Sequence, residues 1–200
     1  ITKDIPTKNF QSFTFNLGYN TQATFNERKY YKGGRWDWLG LDDGTRAIPP
    51  NIPQKDLSLM SNAEKAQFGK SFVNNWKILN SNFTPNFSFQ YSRGLNFQRK
   101  NKDFAGLLLG LTYSKSNNVS LGERSSVEYA RGDTSSLPIY NYSIDENIYA
   151  TQYLSGIIAN GTIKFNNNNK LSWKNSISVN SEDKVVNWDG FLNYPDSSIR

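Results

Sequence analysis

The residues best suited to chemistry lie in one short stretch, residues 30–46. Three of its aspartates stand close together: Asp37, Asp42 and Asp43. Such oxygen ligands suit a hard cation such as Ca²⁺, although their spacing fits no EF-hand loop. In the structural alternative, Asp43 and Gly44 form a tight turn and Asp37 caps it or pairs with Arg46. The sequence favours the structural alternative, and no metal site is predicted.

The same stretch carries the predicted ligand-binding residues: Tyr30, Trp36, Trp38 and Arg46. The aromatic rings, together with Tyr31, are able to stack on a sugar or a peptide. The alternative is aromatic anchoring at a membrane surface, where Trp and Tyr are enriched. The sequence does not identify the ligand, and a small molecule, an oligosaccharide and a peptide all stay open.

The chain lacks two of the residue types that most often take part in catalysis. Cysteine and histidine are both absent, which excludes disulfides, thiolate nucleophiles, imidazole metal sites and histidine-based triads. Paired carboxylates such as Glu182 and Asp183 have no partner base nearby in the sequence, which argues against glycosidase chemistry. The chain is therefore predicted not to be an enzyme, with no catalytic residue and no cofactor.

The charge pattern argues against a nucleic-acid partner. The net charge is +6, but Lys and Arg are scattered and form no basic run or recognition helix. Hydrophobic residues make up 36% of the chain, below the ~45–50% typical of globular proteins. A conventional thick core is thus not expected, and the many aromatic residues must be kept from water in some other way.

Five segments alternate apolar and polar side chains with the period of a β-strand. They cover about residues 12–25, 83–98, 104–115, 149–165 and 171–181. In the first, Phe13, Phe15 and Leu17 alternate with small hydroxyl and amide residues. The odd-numbered positions are predicted to face lipid and the even-numbered positions to face a lumen.

The connections between these segments differ in length. Residues 26–82 and 116–148 are predicted as long loops, whereas compact domains usually connect elements with ~4–6 residues. The links near 99–103 and 166–170 are short and polar. Short turns on one side and long loops on the other are typical of outer-membrane barrels. Five strands cannot close a barrel in lipid, so the chain is expected to be part of a larger protein.

One helix is predicted in the first long loop. Ser61 and Glu64 have the spacing of a capping box, which marks a helix start. The helix is expected to be short and amphipathic and to pack on the loop or on the barrel rim, with Phe68 and Phe72 directed toward Trp76.

Three motifs carry a resemblance to a known family. The segment at 37–49, DWLGLDDGTRAIP, closely resembles the "DWLGFDDGTRALP" segment of Bacteroidetes TonB-dependent outer-membrane receptors, with Leu41 where Phe is usual. Residues 2–6, TKDIP, are similar to the exit from the plug domain of those receptors. Residues 74–76, NNW, look like the sequence that follows the family's first-loop helix. The motifs cover about 30 residues, and the layout covers most of the chain.

The resemblance implies the opening strands of an antiparallel barrel of about 22 strands with an N-terminal plug. Residues 1–8 would then be the end of the plug and residues 9–200 the first five barrel strands with their loops. Implied partners are outer-membrane lipid, the TonB complex acting through the plug, an imported nutrient (an oligosaccharide, a peptide or a metal chelate) and, as an open alternative, a surface lipoprotein lid.

Two other functions stay open. A barrel of the receptor fold is also compatible with a scaffold or assembly subunit that transports nothing. A soluble β-sandwich binding module is the second alternative, and it would require a second sheet over one face and short loops at both ends.

Overall fold

A computed structural model of the protein describes residues 6, 8–50, 56–100, 102–128, 139–166 and 168–192. Five strands form one antiparallel sheet in the order β1-β4-β5-β6-β7, and β2 pairs with β3 in a separate two-stranded sheet. The bounds are β1 Phe10–Gly18, β2 Glu27–Tyr30, β3 Leu79–Asn82, β4 Asn86–Arg99, β5 Lys102–Glu128, β6 Ile139–Lys164 and β7 Lys170–Leu192. The protein is therefore all-β and mostly antiparallel, as the alternation predicts.

The large sheet is open. Its edge strands are β1 and β7, and among the described residues no pairing closes it into a barrel. The two short polar links are turns: Lys100 has a φ of 49° between β4 and β5, and Asn166 accepts from the backbone N–H of Asn168 and Asn169 between β6 and β7. We call this end of the sheet the hairpin end and the opposite end the loop end.

The later strands are much longer than predicted. β5 has 27 residues, β6 has 26 and β7 has 23, so β5 extends roughly 90 Å at ~3.3 Å per residue. The predicted strand ends at residues 115 and 181, and the predicted start at 149, are wrong, and most of the predicted loop 116–148 is paired strand. Pairing continues there although the apolar–polar alternation stops. Residues 129–138 lie outside the described residues.

The first strand is shorter than predicted, because the chain turns after Gly18. The backbone N–H groups of Ala23 and Thr24 both donate to the carbonyl of Asn20, at 3.2 and 2.8 Å. Phe25 has a φ of 67°, a left-handed conformation that ends an extended strand. The alternation at residues 19–25 therefore does not mark strand. The predicted plug exit at residues 1–8 falls almost wholly outside the described residues.

The two faces of the sheet differ at the hairpin end. Paired residues share a face, so Leu111, Ile157 and Ile177 stand side by side on the odd-numbered face. We define the apolar band by the exposed large side chains of this face: Phe13, Phe15, Phe97, Leu109, Leu111, Ile157, Ile163, Leu171, Trp173 and Ile177. Arg93 and Asn175 interrupt it.

The even-numbered face is lined mainly by small and hydroxyl side chains. A groove of about 390 Å³ on the sheet is lined by residues from all five strands, including Ser12, Thr14, Gln90, Thr112 and Ser178. Ile158 is an apolar exception. The sheet thus carries opposite chemistry on its two sides over the part nearest the hairpin end.

The segment between β1 and β4 has structure of its own, and we call residues 19–85 the first-loop module. It holds β2, β3, short 3-10 turns at Asp37–Leu39 and Leu57–Leu59, and one helix, α1, at Asn62–Ser71. The capping box predicted at Ser61 and Glu64 is present. The helix is not amphipathic in its packing, because none of its residues is buried. No helix among the described residues is long and apolar enough to cross a membrane.

Candidate functional site

The first-loop module lies on the odd-numbered face of the sheet at the loop end. The Tyr113 hydroxyl on β5 donates to the Trp38 carbonyl at 3.0 Å, and the Ser181 hydroxyl on β7 donates to the Asp37 carbonyl at 3.4 Å. Gly40 has a φ of 76°, and a β-carbon there would lie 2.6 Å from Val179 Cγ1. The chain can approach the sheet this closely only because residue 40 has no side chain.

A buried polar network fixes the module to the strands beneath it. Arg28 on β2 donates to Thr151 Oγ1 at 3.2 Å, and the Thr151 hydroxyl donates to Asn117 Oδ1 at 3.0 Å. The Asn117 amide then donates to the Thr84 carbonyl at 2.7 Å. Asn117 and Thr151 are each 2% exposed, so each needs these partners.

A small apolar cluster lies beside this network. It consists of Ala23 and Phe83 from the module and Val119 from β5, with Tyr149 of β6 packed against them. Phe83 is 2% exposed, and the Arg28 guanidinium lies 5.6 Å from its ring centroid. The predicted lipid contacts of Tyr113 and Tyr149 are therefore wrong, because both side chains pack against the module.

Asp37 and Arg46 form the clearest ion pair of the described residues. Arg46 Nη1 donates to Asp37 Oδ1 at 2.9 Å, and Nη2 donates to Oδ2, which is the two-pronged geometry that arginine favours. Asp37 Oδ2 also accepts from the Gly34 N–H at 2.7 Å. The pairing predicted from the sequence is confirmed, and it closes the stretch 34–46 into a compact loop.

The other two aspartates accept hydrogen bonds from the same loop. Asp42 accepts from the Gly44 N–H at 3.1 Å. Asp43 accepts from the N–H groups of Arg35 and Thr45 at 2.7 and 3.0 Å and from the Thr45 hydroxyl. The Thr45 hydroxyl is the largest cause that lowers the pKa of Asp43 to about 2, followed by these N–H groups. The described residues contain no cluster suited to a metal ion.

A cavity of about 360 Å³ lies between this loop and the sheet. Its module side is formed by Tyr31, Arg46 and Trp76 together with the loop backbone around Gly40, and its sheet side by Tyr153 of β6 and residues 181–183 of β7. The Tyr31 and Trp76 rings have centroids 5.2 Å apart. The cavity therefore combines aromatic walls with carboxylates from two separate parts of the chain.

Asp183 is the most unusual group in this cavity. Its Oδ1 is buried and has no hydrogen-bond partner among the described residues. It lies beyond the predicted spanning stretch 171–181 of β7, and burial raises the pKa of its carboxyl while nearby Arg28 lowers it. The neighbouring Tyr31 phenol also has a raised pKa, chiefly because of burial and then because of Asp183.

No protein-family model, no curated protein and no solved structure matches the chain.

The structure separates the predicted ligand-binding residues. Arg46 lines the cavity. Tyr30 lies in β2, paired with Leu79, and its ring is 4.8 Å from the Arg28 guanidinium. Trp36 and Trp38 are partly exposed, at 42% and 47%, with ring centroids 6.4 Å apart. The Trp38 ring meets Tyr113 edge-on at 6.1 Å. These three aromatics are absent from the cavity lining.

Among the side chains that line the cavity, those of Trp76, Tyr153 and Asp183 were not predicted as ligand contacts, whereas Tyr31 was named with the aromatic rings able to stack on a ligand. Tyr31 lies within the aromatic stretch of the first loop, and Trp76 lies in the NNW motif, so both carried a sequence signal. Tyr153 and Asp183 carried none, because they come from strands and approach residues 31–46 only through folding. The register that sets Tyr153 beside Ser181 and Thr151 beside Asp183 decides their place.

Proposed function

We propose that this chain is part of an outer-membrane receptor of the TonB-dependent kind, which takes up a nutrient through a large plugged β-barrel. The observation that carries the proposal is the exposed apolar band on one face of the sheet, opposite a face of small and hydroxyl side chains. Monomeric soluble proteins rarely expose large apolar patches. Lipid on the outside and water inside would satisfy both faces.

The placement of turns and loops supports the same proposal. Both short turns lie at the hairpin end, beside the apolar band, whereas the first-loop module covers the other end. Barrels of this class have short periplasmic turns and long extracellular loops. The loop end would then face the outside of the cell, and the cavity would lie there on the same face of the sheet as the apolar band.

The resemblance in residues 37–49 supports the choice of receptor type. In the structure, that segment builds the tight loop through Asp37, Arg46 and Asp43 and contacts the sheet through Gly40. Residues of the motif therefore stabilise this loop and its contact with the sheet at the loop end. The plug, a barrel of about 22 strands and the TonB contact belong to the proposal through that resemblance alone.

The test is to express the full-length gene product, fractionate the cells and follow growth on candidate nutrients with and without TonB. The proposal expects a heat-modifiable protein of the outer membrane whose uptake stops without TonB. Outer-membrane residence without any uptake would instead favour a scaffold or assembly subunit. A product that is soluble without detergent would overturn the barrel and favour a sandwich module.

A further inference from the structure

The cavity beneath the first-loop module is acidic, although the chain as a whole is basic. Its lining includes the carboxylates of Asp37, Asp42 and Asp183 and the guanidinium of Arg46. Glu182 also reaches the lining, but its carboxylate lies on the opposite face of the sheet, where it accepts from the Gln152 amide at 3.0 Å. The guanidinium is already bound by Asp37. The net charge of +6 therefore does not extend to this site, and the uncompensated charge at the cavity is negative.

Among these carboxylates, that of Asp183 has an oxygen without a hydrogen-bond partner in the part of the chain that the structure describes. Its Oδ1 is shielded from solvent, lines the cavity and lacks a donor among the described residues. Among the cations, Arg28 lowers the pKa of Asp183 most, and its guanidinium donates to Ser81 and Thr151. A buried carboxylate oxygen without a donor is costly, and a ligand N–H would satisfy it.

The aromatic walls favour the same kind of ligand. Tyr31 and Trp76 lie with ring centroids 5.2 Å apart, and the Arg46 guanidinium already stands 5.8 Å from the Tyr31 centroid. The faces of Tyr and Trp attract cations through the negative charge of the ring. Trp76 is 62% exposed, so the aromatic wall reaches the surface from which a ligand would enter.

We propose that this cavity binds a positively charged nitrogen group, the ammonium or guanidinium of a basic peptide or amine. Asp183 accepts its N–H, Asp42 supplies further negative charge, and Tyr31 and Trp76 face its sides. A neutral sugar would also stack on the rings, but it would leave the carboxylate charge uncompensated. This inference rests on the proposed function for the direction from which the ligand comes.

Calorimetric titration of the purified full-length protein in detergent tests the inference, with three probes: dilysine amide, the same peptide with all its amines acetylated, and maltose. Dilysine amide is expected to bind at least about tenfold more tightly than either of the others. Asp183→Asn should weaken its binding by about tenfold or more, since the substitution keeps the shape and removes the charge. Glu182→Gln should leave the affinity unchanged, because this carboxylate lies on the opposite face of the sheet and accepts from Gln152.

Asp189→Asn is the matched control, because Asp189 lies on the same strand, is exposed and does not line the cavity. Its dilysine affinity should equal that of the unchanged protein. Equal binding of the acetylated peptide, tighter binding of maltose, no binding of dilysine amide, or unchanged affinity in Asp183→Asn would each overturn the inference. Cell fractionation tests the receptor proposal independently of the titration. If the protein is in the outer membrane but does not bind dilysine amide, only the proposed class of ligand is refuted. A soluble protein that binds dilysine amide refutes only the receptor.

Discussion

Gly40 and Val179 stand so close that a β-carbon on residue 40 would lie 2.6 Å from Val179 Cγ1. They are far apart in sequence, one in the motif of the first loop and the other on β7. Their contact lies beside the hydrogen bond from the Ser181 hydroxyl to the Asp37 carbonyl. The tightness of this approach makes residue 40 the most sensitive point of the loop-to-sheet interface.

Gly40→Ala is expected to detach the loop from the sheet. Real β-carbons do not approach other atoms so closely, so either the loop or β7 must shift. The readout is faster tryptic cleavage after Arg35 and Arg46 in the folded protein. Gly44→Ala is the control, since Gly44 has a similar φ of 78° but nothing within 4 Å of its would-be β-carbon. Both substitutions place a β-carbon on a residue in the left-handed conformation, and this costs about 1–2 kcal/mol in each variant. Equal cleavage of the two variants would contradict the close contact.

The Asp37–Arg46 pair should show measurable coupling. A two-pronged pair at 26–30% side-chain exposure is expected to couple by about 1 kcal/mol in a double-mutant cycle of alanine substitutions, above the ordinary surface range. The free energy of unfolding in detergent is the quantity measured. Arg124 and Glu146 provide the comparison, because they make one contact at 3.2 Å with Arg124 63% exposed. A coupling for Asp37 and Arg46 no larger than theirs would count against the loop closure.

Asn117→Ala should destabilise the protein by about 1–3 kcal/mol. The substitution removes the acceptor for the hydroxyl of Thr151, a residue that is 2% exposed, and the donor to the Thr84 carbonyl. The buried Thr151 hydroxyl is the group that this loss affects most. Chemical denaturation measures the loss. Asn118→Ala is the control, because Asn118 is the next residue along β5 and is exposed. Similar losses for both variants would mean that the network contributes little.

Ile177→Arg tests the apolar band. If this face meets lipid, the arginine costs about 2–4 kcal/mol near the bilayer midplane and less near the interfaces. Ser178→Arg puts the same side chain on the opposite, polar face of β7, next to Gly156 and Thr112, and it should cost much less. The amount of heat-modifiable protein in the outer membrane is the readout. If Ser178→Arg lowered the amount of protein in the outer membrane more than Ile177→Arg, the even-numbered face would be the one that meets lipid.

The turn at Asp43 should open in acid. Its pKa is lowered from 3.8 to about 2, so the ionised carboxylate stabilises the folded loop above 3.8. That contribution is lost as the pH falls from 3.8 through about 2. Hydrogen-exchange protection of the Arg35 and Thr45 amides, the two N–H donors, should decline over this range. Asp43→Asn should make their protection insensitive to pH there. A persistent decline in that variant would assign the effect to another group.

The local features were readable from the sequence because each depends on neighbouring residues. Alternation located all five strands of the large sheet, the capping box located α1, and the Asp37–Arg46 pair lies within one short loop. Alternation also misled in two places. It continued past Gly18, where the chain turns, and it stopped near Lys115, where β5 continues. A two-residue period is visible only where the two faces meet different surroundings.

By itself, the sequence determined the class of fold, the opposite chemistry of the two sheet faces and the absence of cysteine and histidine chemistry. Only the tertiary structure decided that the first-loop module lies on the odd-numbered face and that Asp183 and Tyr153 share a cavity with Arg46. The physical reason is strand register. Sliding one strand by a single residue moves every side chain to the other face, and the pairing that fixes this register joins residues far apart in the chain.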